Sequence, residues 1–266
     1  MKRKKSDYIV QSVNKALDIL QVLASSEEEL GVSELSQKLS IQKANTARLL
    51  HTVENRGYVE RDLETGNYRI GLKAFEMGQT YLHQLGLFQA ARQIMMDLVS
   101  KCDESAYIAA LRGADVVYID VIQTSKPLRL ASRVGSIAPA FCTATGKVQM
   151  AYLSPEMLDE TLAKVSYRPK TSQTINSEKK LREELADIAG KGYAMDDQEF
   201  EMGVRCIGVP IWDHTGQVIA GLTLSGPTSR MSYKRIETEL LPLILEAGAE
   251  ISRRLGYDQG KSSFTD

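Results

Sequence analysis

At 266 residues, with 43 % hydrophobic side chains, the chain has an ordinary globular make-up and enough apolar surface for two cores. A net charge of −1 is not the profile of a protein that coats nucleic acid, although a local basic face can still read one site. Three cysteines without paired spacing exclude a disulfide framework or zinc motif, and no apolar leader or membrane-length run occurs, so a cytoplasmic protein is expected.

Residues 2–5 are basic and read either as an arm along DNA or as a solubilising tail. Val13, Ala16, Leu17, Leu20, Leu23 and Ala24 then recur with helical period, and Ser12 is a plausible cap. This helix is expected to pack behind the segment that follows. Residues 31–71 carry the pattern of helix, tight turn, second helix and two-stranded hairpin. Ser33 stands where an N-cap belongs, with Leu35 and Leu39 one turn apart. The second helix starts near Gln42, with Thr46, Leu49, Leu50 and Val53 as its inward stripe and Gly57 as its stop. Residues 58–61 and 68–70 alternate around Glu64-Thr65-Gly66-Asn67, which has hairpin-turn chemistry.

This is the pattern of a winged helix-turn-helix, whose second helix enters a DNA major groove. Lys43 and Arg48 suit phosphate or guanine, Asn45 or Gln42 suits adenine, and Ala47 permits close approach. Thr46 joins these as a candidate hydroxyl contact, and Arg61 and Arg69 in the wing are expected to touch the backbone alongside. The alternative is a solvated helix face of another small domain. The wing at the expected distance favours DNA.

After the wing, residues 72–85 read as a helix whose Phe75, Met77, Tyr81 and Leu82 are apolar for an exposed connector. They are expected to pack against a second copy of the chain or against its own domains. A further helix covers 88–102. From residue 106 the period becomes two: strands at 107–111 and 116–122 flank the turn 112–115, and a third strand is expected at 128–134. Helices follow at 143–153 and 155–165, then a polar loop at 166–177. Ser177 caps a helix running to Gly192, strands cover 206–212 and 218–225, and a closing helix spans 232–255. An antiparallel sheet with flanking helices commonly holds a small ligand.

Several stretches together resemble the IclR-type (isocitrate lyase regulator) transcriptional regulators: VQSVNKALDIL, RLLHTVENRGYV, NYRIGLKAFEMG, TATGK at 143–147, and GYAMDDQEFEMGVRCIGVPIWD followed by LTLSGPTSR. Two departures are visible. Trp212 replaces the family's Phe, Tyr or His, and Ala44-Asn45 stands where many members have Ser-Thr. The resemblance implies a two-domain α/β protein. Residues 1–71 would be the winged helix-turn-helix domain, 72–87 a linker helix, 88–256 a GAF/profilin-like effector-binding domain with an antiparallel sheet, and 257–266 a disordered tail. It also implies a homodimer or tetramer that binds double-stranded operator DNA, without cofactor. Such proteins repress or activate catabolic operons, repression being expected here, and a small organic-acid effector (a sugar acid, 2-keto acid or aromatic acid) controls the grip on DNA.

Carried onto matching positions, the family's effector pocket is lined by Ala144, Thr145, Asp196, Cys206, Thr223 and Ser225. The backbone through Gly146 opens a helix whose N-terminus favours anions, and Leu128, Leu130 and Ala138 are expected to supply an apolar wall. Duller roles exist for each: Cys206 as a buried small hydrophobe, Asp196 as a loop holder, Thr223 and Ser225 as partners of nearby backbone. The rival class is an enzyme with Cys206 and His214 as nucleophile and base, but a hairpin turn carries His214 away and no third group orients it.

Overall fold

A computed structural model describes residues 9–130 and 133–258; within its helices the side chains of residues 79, 81–85 and 88 are left aside. The expectations for residues 2–5, for Tyr81 and Leu82, and for most of the C-terminal tail therefore lie outside the described residues. The chain divides into two compact units, Met1–Leu85 and Gly86–Asp266.

In the first unit α1 (Gln11–Ser25), α2 (Val32–Leu39) and α3 (Lys43–Asn55) enclose a small core, and β1 (Val59–Arg61) pairs antiparallel with β2 (Tyr68–Ile70). Ile19, Leu23, Leu35, Leu50, Val53, Val59 and Tyr68 fill that core. The stripe read on α1 is only partly inward. Ile19 is fully buried, whereas Val13 and Leu17 are 55 % and 52 % exposed, so two apolar faces share the helix. Neither predicted cap forms. Val10 precedes α1 without a side-chain cap, and Gly31 precedes α2, its N–H donating to Glu34 Oε2 at 2.7 Å. Ser33 thus sits inside the first turn, where Glu34 does the capping instead. Gly57 ends α3 at φ +76°, as its lack of a Cβ allows. α4 (Leu72–Leu85) completes the unit.

The second unit opens with α5 (Leu87–Cys102) and is built on a six-stranded antiparallel sheet of order β5-β4-β3-β8-β7-β6. Its strands are β3 (Ser105–Arg112), β4 (Asp115–Ile122), β5 (Ile137–Pro139), β6 (Ala194–Asp197), β7 (Val204–Trp212) and β8 (Val218–Pro227). Between them lie α6 (Ala144–Met150), α7 (Pro155–Leu162) and α8 (Glu178–Lys191). Ser154 and Ser177 cap α7 and α8, each accepting a first-turn N–H.

Two readings need correction. No strand covers residues 128–130; pairing with β4 is made further on by Ile137–Pro139. The alternation there belongs to an irregular strap whose carbonyls are satisfied by side chains: Leu128 O by Arg230 and Leu130 O by Tyr107. The closing helix is also broken, into α9 (Tyr233–Arg235), a π turn at Ile236–Leu240, and α10 (Leu241–Arg254). Pro242, which cannot donate a helical N–H, sits in the first turn of α10 and accounts for the change of period just before it.

Period-two burial assigns the two faces of the sheet. Val209 on one face meets α10 at Gly248, whereas Gly208, its neighbour, meets α6. A Cβ on Gly208 would approach the Ala144 carbonyl carbon to 3.0 Å, so glycine lets α6 lie directly on the strand. Gly146 is tighter still: a Cβ there would lie 2.3 Å from Ala140 O.

Candidate functional site

Strand register builds the effector-side site. β6, β7 and β8 align Asp196 with Cys206 and Cys206 with Ser225, so these three side chains form one row on the α6 face. One pleat along the strands, Gly208, Thr223 and Tyr107 form the next row. Gly208 leaves the space into which the start of α6 fits. The result is a small cavity of about 20 Å³, bounded also by Tyr118, Thr143, Ala144, Thr145, Phe200, Val204 and Leu130. That is room for a single water.

The polar groups around it differ in what they have left to offer. Thr143 caps α6: its hydroxyl donates to Pro139 O at 3.0 Å and accepts from the Gly146 N–H at 3.3 Å. Thr145 Oγ1 donates to Gly221 O at 3.3 Å. Thr223 Oγ1 is buried and, among the described residues, has no partner. An orphaned hydroxyl facing a cavity costs free energy until something bonds it. Asp196 Oδ1 accepts from the N–H groups of Glu199 at 2.8 Å and Phe200 at 3.3 Å, holding the turn after β6. Burial pushes the Asp196 carboxyl up to about 7, and the Glu199 carboxylate adds to the rise against those N–H groups and Lys147.

Behind this row lies Lys147, wholly buried on α6, bonded to Glu199 and, at 2.9 Å, to Glu184. Burial opposes its charge most strongly, but the two carboxylates overcome it and the ammonium pKa rises. The pair fixes Glu199, and Glu199 donates its backbone N–H to Asp196.

Three expected lining residues are elsewhere. Leu128 is 64 % exposed, because the strap turns its side chain outward where a strand was expected to turn it inward. Ala138 is buried in the core, paired with Val116 on the far edge of the sheet from Cys206. Gly146 gives its N–H to Thr143 and its missing Cβ to Ala140, so it supports the turn and does not border the cavity. Tyr107, Tyr118, Phe200 and Val204 went unread. Only the pairing of Tyr107 with Thr223, a matter of register, would have drawn the first of them in.

In the first unit the exposed face of α3 carries Lys43, Ala44, Ala47, Arg48, His51 and Thr52, with Gln42 at its N-cap. Thr46 faces the other way. It is wholly buried and its hydroxyl bonds to Gln42 O at 3.3 Å, so it cannot meet DNA. Asn45 is half-buried at the rim, beside a groove of about 980 Å³ between α1, α3 and α4. Arg61 is exposed on the wing, while Arg69 is held by Glu29 at 3.0 Å and Glu60 at 3.4 Å.

Comparison with known proteins decides what this pairing of units is. Residues 12–63 match the IclR helix-turn-helix domain and residues 79–253 the bacterial transcriptional regulator IclR C-terminal domain. The chain belongs to the IclR family of bacterial transcriptional regulators. It is 37 % identical over 248 residues to the HTH-type transcriptional regulator KdgR of Escherichia coli, covering 93 % of this chain and 94 % of that one. It is 30 % identical over 249 residues to the transcriptional repressor IclR of the same organism, covering 93 % and 90 %. The crystal structure of the Thermotoga maritima IclR aligns with a TM-score of 0.74 at 32 % identity, over 93 % of this chain and 99 % of that one. IclR-family proteins are regulators, not enzymes, and the regulator's chemistry agrees. Desolvation holds the buried Cys206 thiol far above the usual thiol range, so it is no thiolate nucleophile. His214 lies in an exposed turn, against Gly256. Among the described residues no helix is long and apolar enough to cross a membrane.

Proposed function

We propose that the regulator represses a catabolic operon and releases its operator when a small organic acid enters the cavity beside Asp196. The orphaned Thr223 hydroxyl carries this reading, since a buried unpartnered hydroxyl at a cavity is a group awaiting a ligand. Ser225 beside it adds a second hydroxyl suited to a carboxylate. The Asp196 carboxyl, drawn up to about 7, is part-neutral near neutral pH and tolerates an acid nearby, where a full charge would repel it. Sugar acids, 2-keto acids and aromatic acids remain the classes to compare. At the other end, Gln42, Lys43 and Arg48 on α3 read the major groove, with Asn45 at the rim and Arg61 and Arg69 on the backbone.

We also infer that the regulator works as a homodimer or tetramer. Val13 and Leu17 on α1 and Met77 on α4 are exposed and border one groove of the first unit, and with the exposed Phe75 they are apolar area that a second copy would cover. The test is selection of a duplex from random sequences, followed by anisotropy titration with gluconate, pyruvate and 4-hydroxybenzoate. One of these acids should loosen the complex at least tenfold, and Arg48→Ala should weaken operator binding by about 1–3 kcal/mol with helicity intact. Failure to enrich any duplex, or an operator complex indifferent to every acid, would overturn the reading.

A further inference from the structure

A cavity of about 20 Å³ cannot take even a three-carbon acid, so a wall must move before an effector enters. Most walls are pinned. β6, β7 and β8 are joined by continuous ladders, and α6 is pressed onto Gly208 without slack. Residues 124–130 differ. They form a strap whose last residue, Leu130, borders the cavity, and no ladder holds them.

The strap is held by side chains instead. At its start, Asp103 Oδ1 accepts from Thr124 Oγ1 at 2.6 Å and Asp103 Oδ2 from Lys126 Nζ at 2.7 Å. Over the cavity, Tyr107 Oη donates to Leu130 O at 3.3 Å. Between them, both Nη atoms of Arg230 donate to Leu128 O, each at 3.1 Å. Arg230 lies in the turn after β8, the strand that bears Thr223 and Ser225 and ends at Pro227. Its other edge grips Glu104, with Nε 2.8 Å from Oε1 and Nη2 2.7 Å from Oε2. Glu104 is wholly buried and also receives Arg235 Nη1 at 2.8 Å, while Arg235 Nη2 donates to Cys102 O at 2.6 Å. Strap, pocket strand and the C-terminal end of α5 thus converge on one guanidinium–carboxylate pair.

We propose that Arg230 is a positioning residue that couples opening of the effector cavity to α5, an inference that rests on the effector reading above. An acid that lifts Leu130 draws the Leu128 carbonyl from Arg230. The guanidinium is then left with Glu104 alone, and the grip on the Asp103–Glu104 corner that ends α5 changes. That helix is where the chain enters this unit, at Leu87, directly after the first unit ends at Leu85. A planar two-edged donor is needed to hold a carboxylate and a carbonyl at once. Lysine keeps the charge for Glu104 but not the second grip.

The experiment compares the full-length wild type with Arg230→Lys, and with Arg230→Gln should the first variant not fold. Operator affinity is measured with and without gluconate, pyruvate and 4-hydroxybenzoate, and the affinity for the most effective acid is measured with and without operator. The variant should hold operator within about twofold of wild type and bind the acid as tightly or more tightly, because the strap lifts more easily. Its acid-induced loss of operator affinity should shrink from at least tenfold to under twofold. Reciprocity requires that operator then cease to weaken acid binding by the same factor, a readout that a merely structural role would not move. A variant that releases operator as fully as wild type overturns the coupling while leaving the effector reading standing. A wild type that no acid loosens overturns both.

Discussion

Asp196 has two jobs that a single side chain seldom combines. One oxygen holds the Glu199 and Phe200 N–H groups, and the carboxyl as a whole sits in a buried row with Cys206, beside Glu199 and Lys147. Because its folded pKa of about 7 exceeds the ordinary 3.8, the folded protein keeps a proton there that the unfolded chain has lost. The stability this proton confers is complete below about pH 4 and is lost as pH rises through about 7. The thermal midpoint of the C-terminal unit should therefore fall from about pH 4 to about pH 7 and level off above. Asp196→Asn, which keeps the acceptor for both N–H groups, should flatten that slope; an unchanged slope by scanning calorimetry would remove Asp196 as its source. The same residue illustrates how far single positions were legible. That Asp196, Cys206, Thr223 and Ser225 belong together was carried by the resemblance, whereas Thr223 being the unpartnered one was not written in its sequence neighbours. The outward turn of Leu128 likewise depends on Arg230, a hundred residues away in the chain.

At the scale of elements, α6 is only seven residues long yet every one of them is buried. It survives among β3, β7 and β8 because glycines stand where it touches the backbone. A methyl at Gly146 would meet Ala140 O at 2.3 Å, and neither atom belongs to a flexible side chain that could move aside. Gly146→Ala should cost about 1–3 kcal/mol by displacing the α6 turn, measured as a lower urea midpoint with unchanged slope. A midpoint equal to wild type would mean that Ala140 gives way more easily than its position suggests. Helix α8 was readable because the Ser177 cap, the apolar stripe and the Gly192 stop agree locally, and α3 from its stripe and the stop at Gly57. The strap at 128–130 was misread because its alternation is equally good for a strand, and pairing depends on partners remote in the chain. The π turn before α10 has its cause in Pro242, visible beforehand as a proline but not as a particular break.

For the whole molecule, the mixed burial of α1 is the most consequential observation. Ile19 and Leu23 satisfy the core, and Val13 and Leu17 are left for another surface. If a second copy supplies it, Leu17→Asp should leave the three-helix core folded yet shift the regulator toward monomer in sedimentation, with operator affinity falling more than tenfold as two half-sites cease to be held together. A Leu17→Asp protein that keeps wild-type mass and affinity would place the interface elsewhere.

The helix-turn-helix with its wing, four strands of the antiparallel sheet and the helices flanking it follow from the sequence itself, because turns and hydrophobic period act over a few residues; the short strands β5 and β6 do not. The inward side of α1, the place of Leu130 at the cavity and the convergence on Glu104 were decided only by tertiary structure. Each depends on which distant backbone or side chain takes up a given hydrogen bond or covers a given apolar face, and short-range pattern carries no record of that choice.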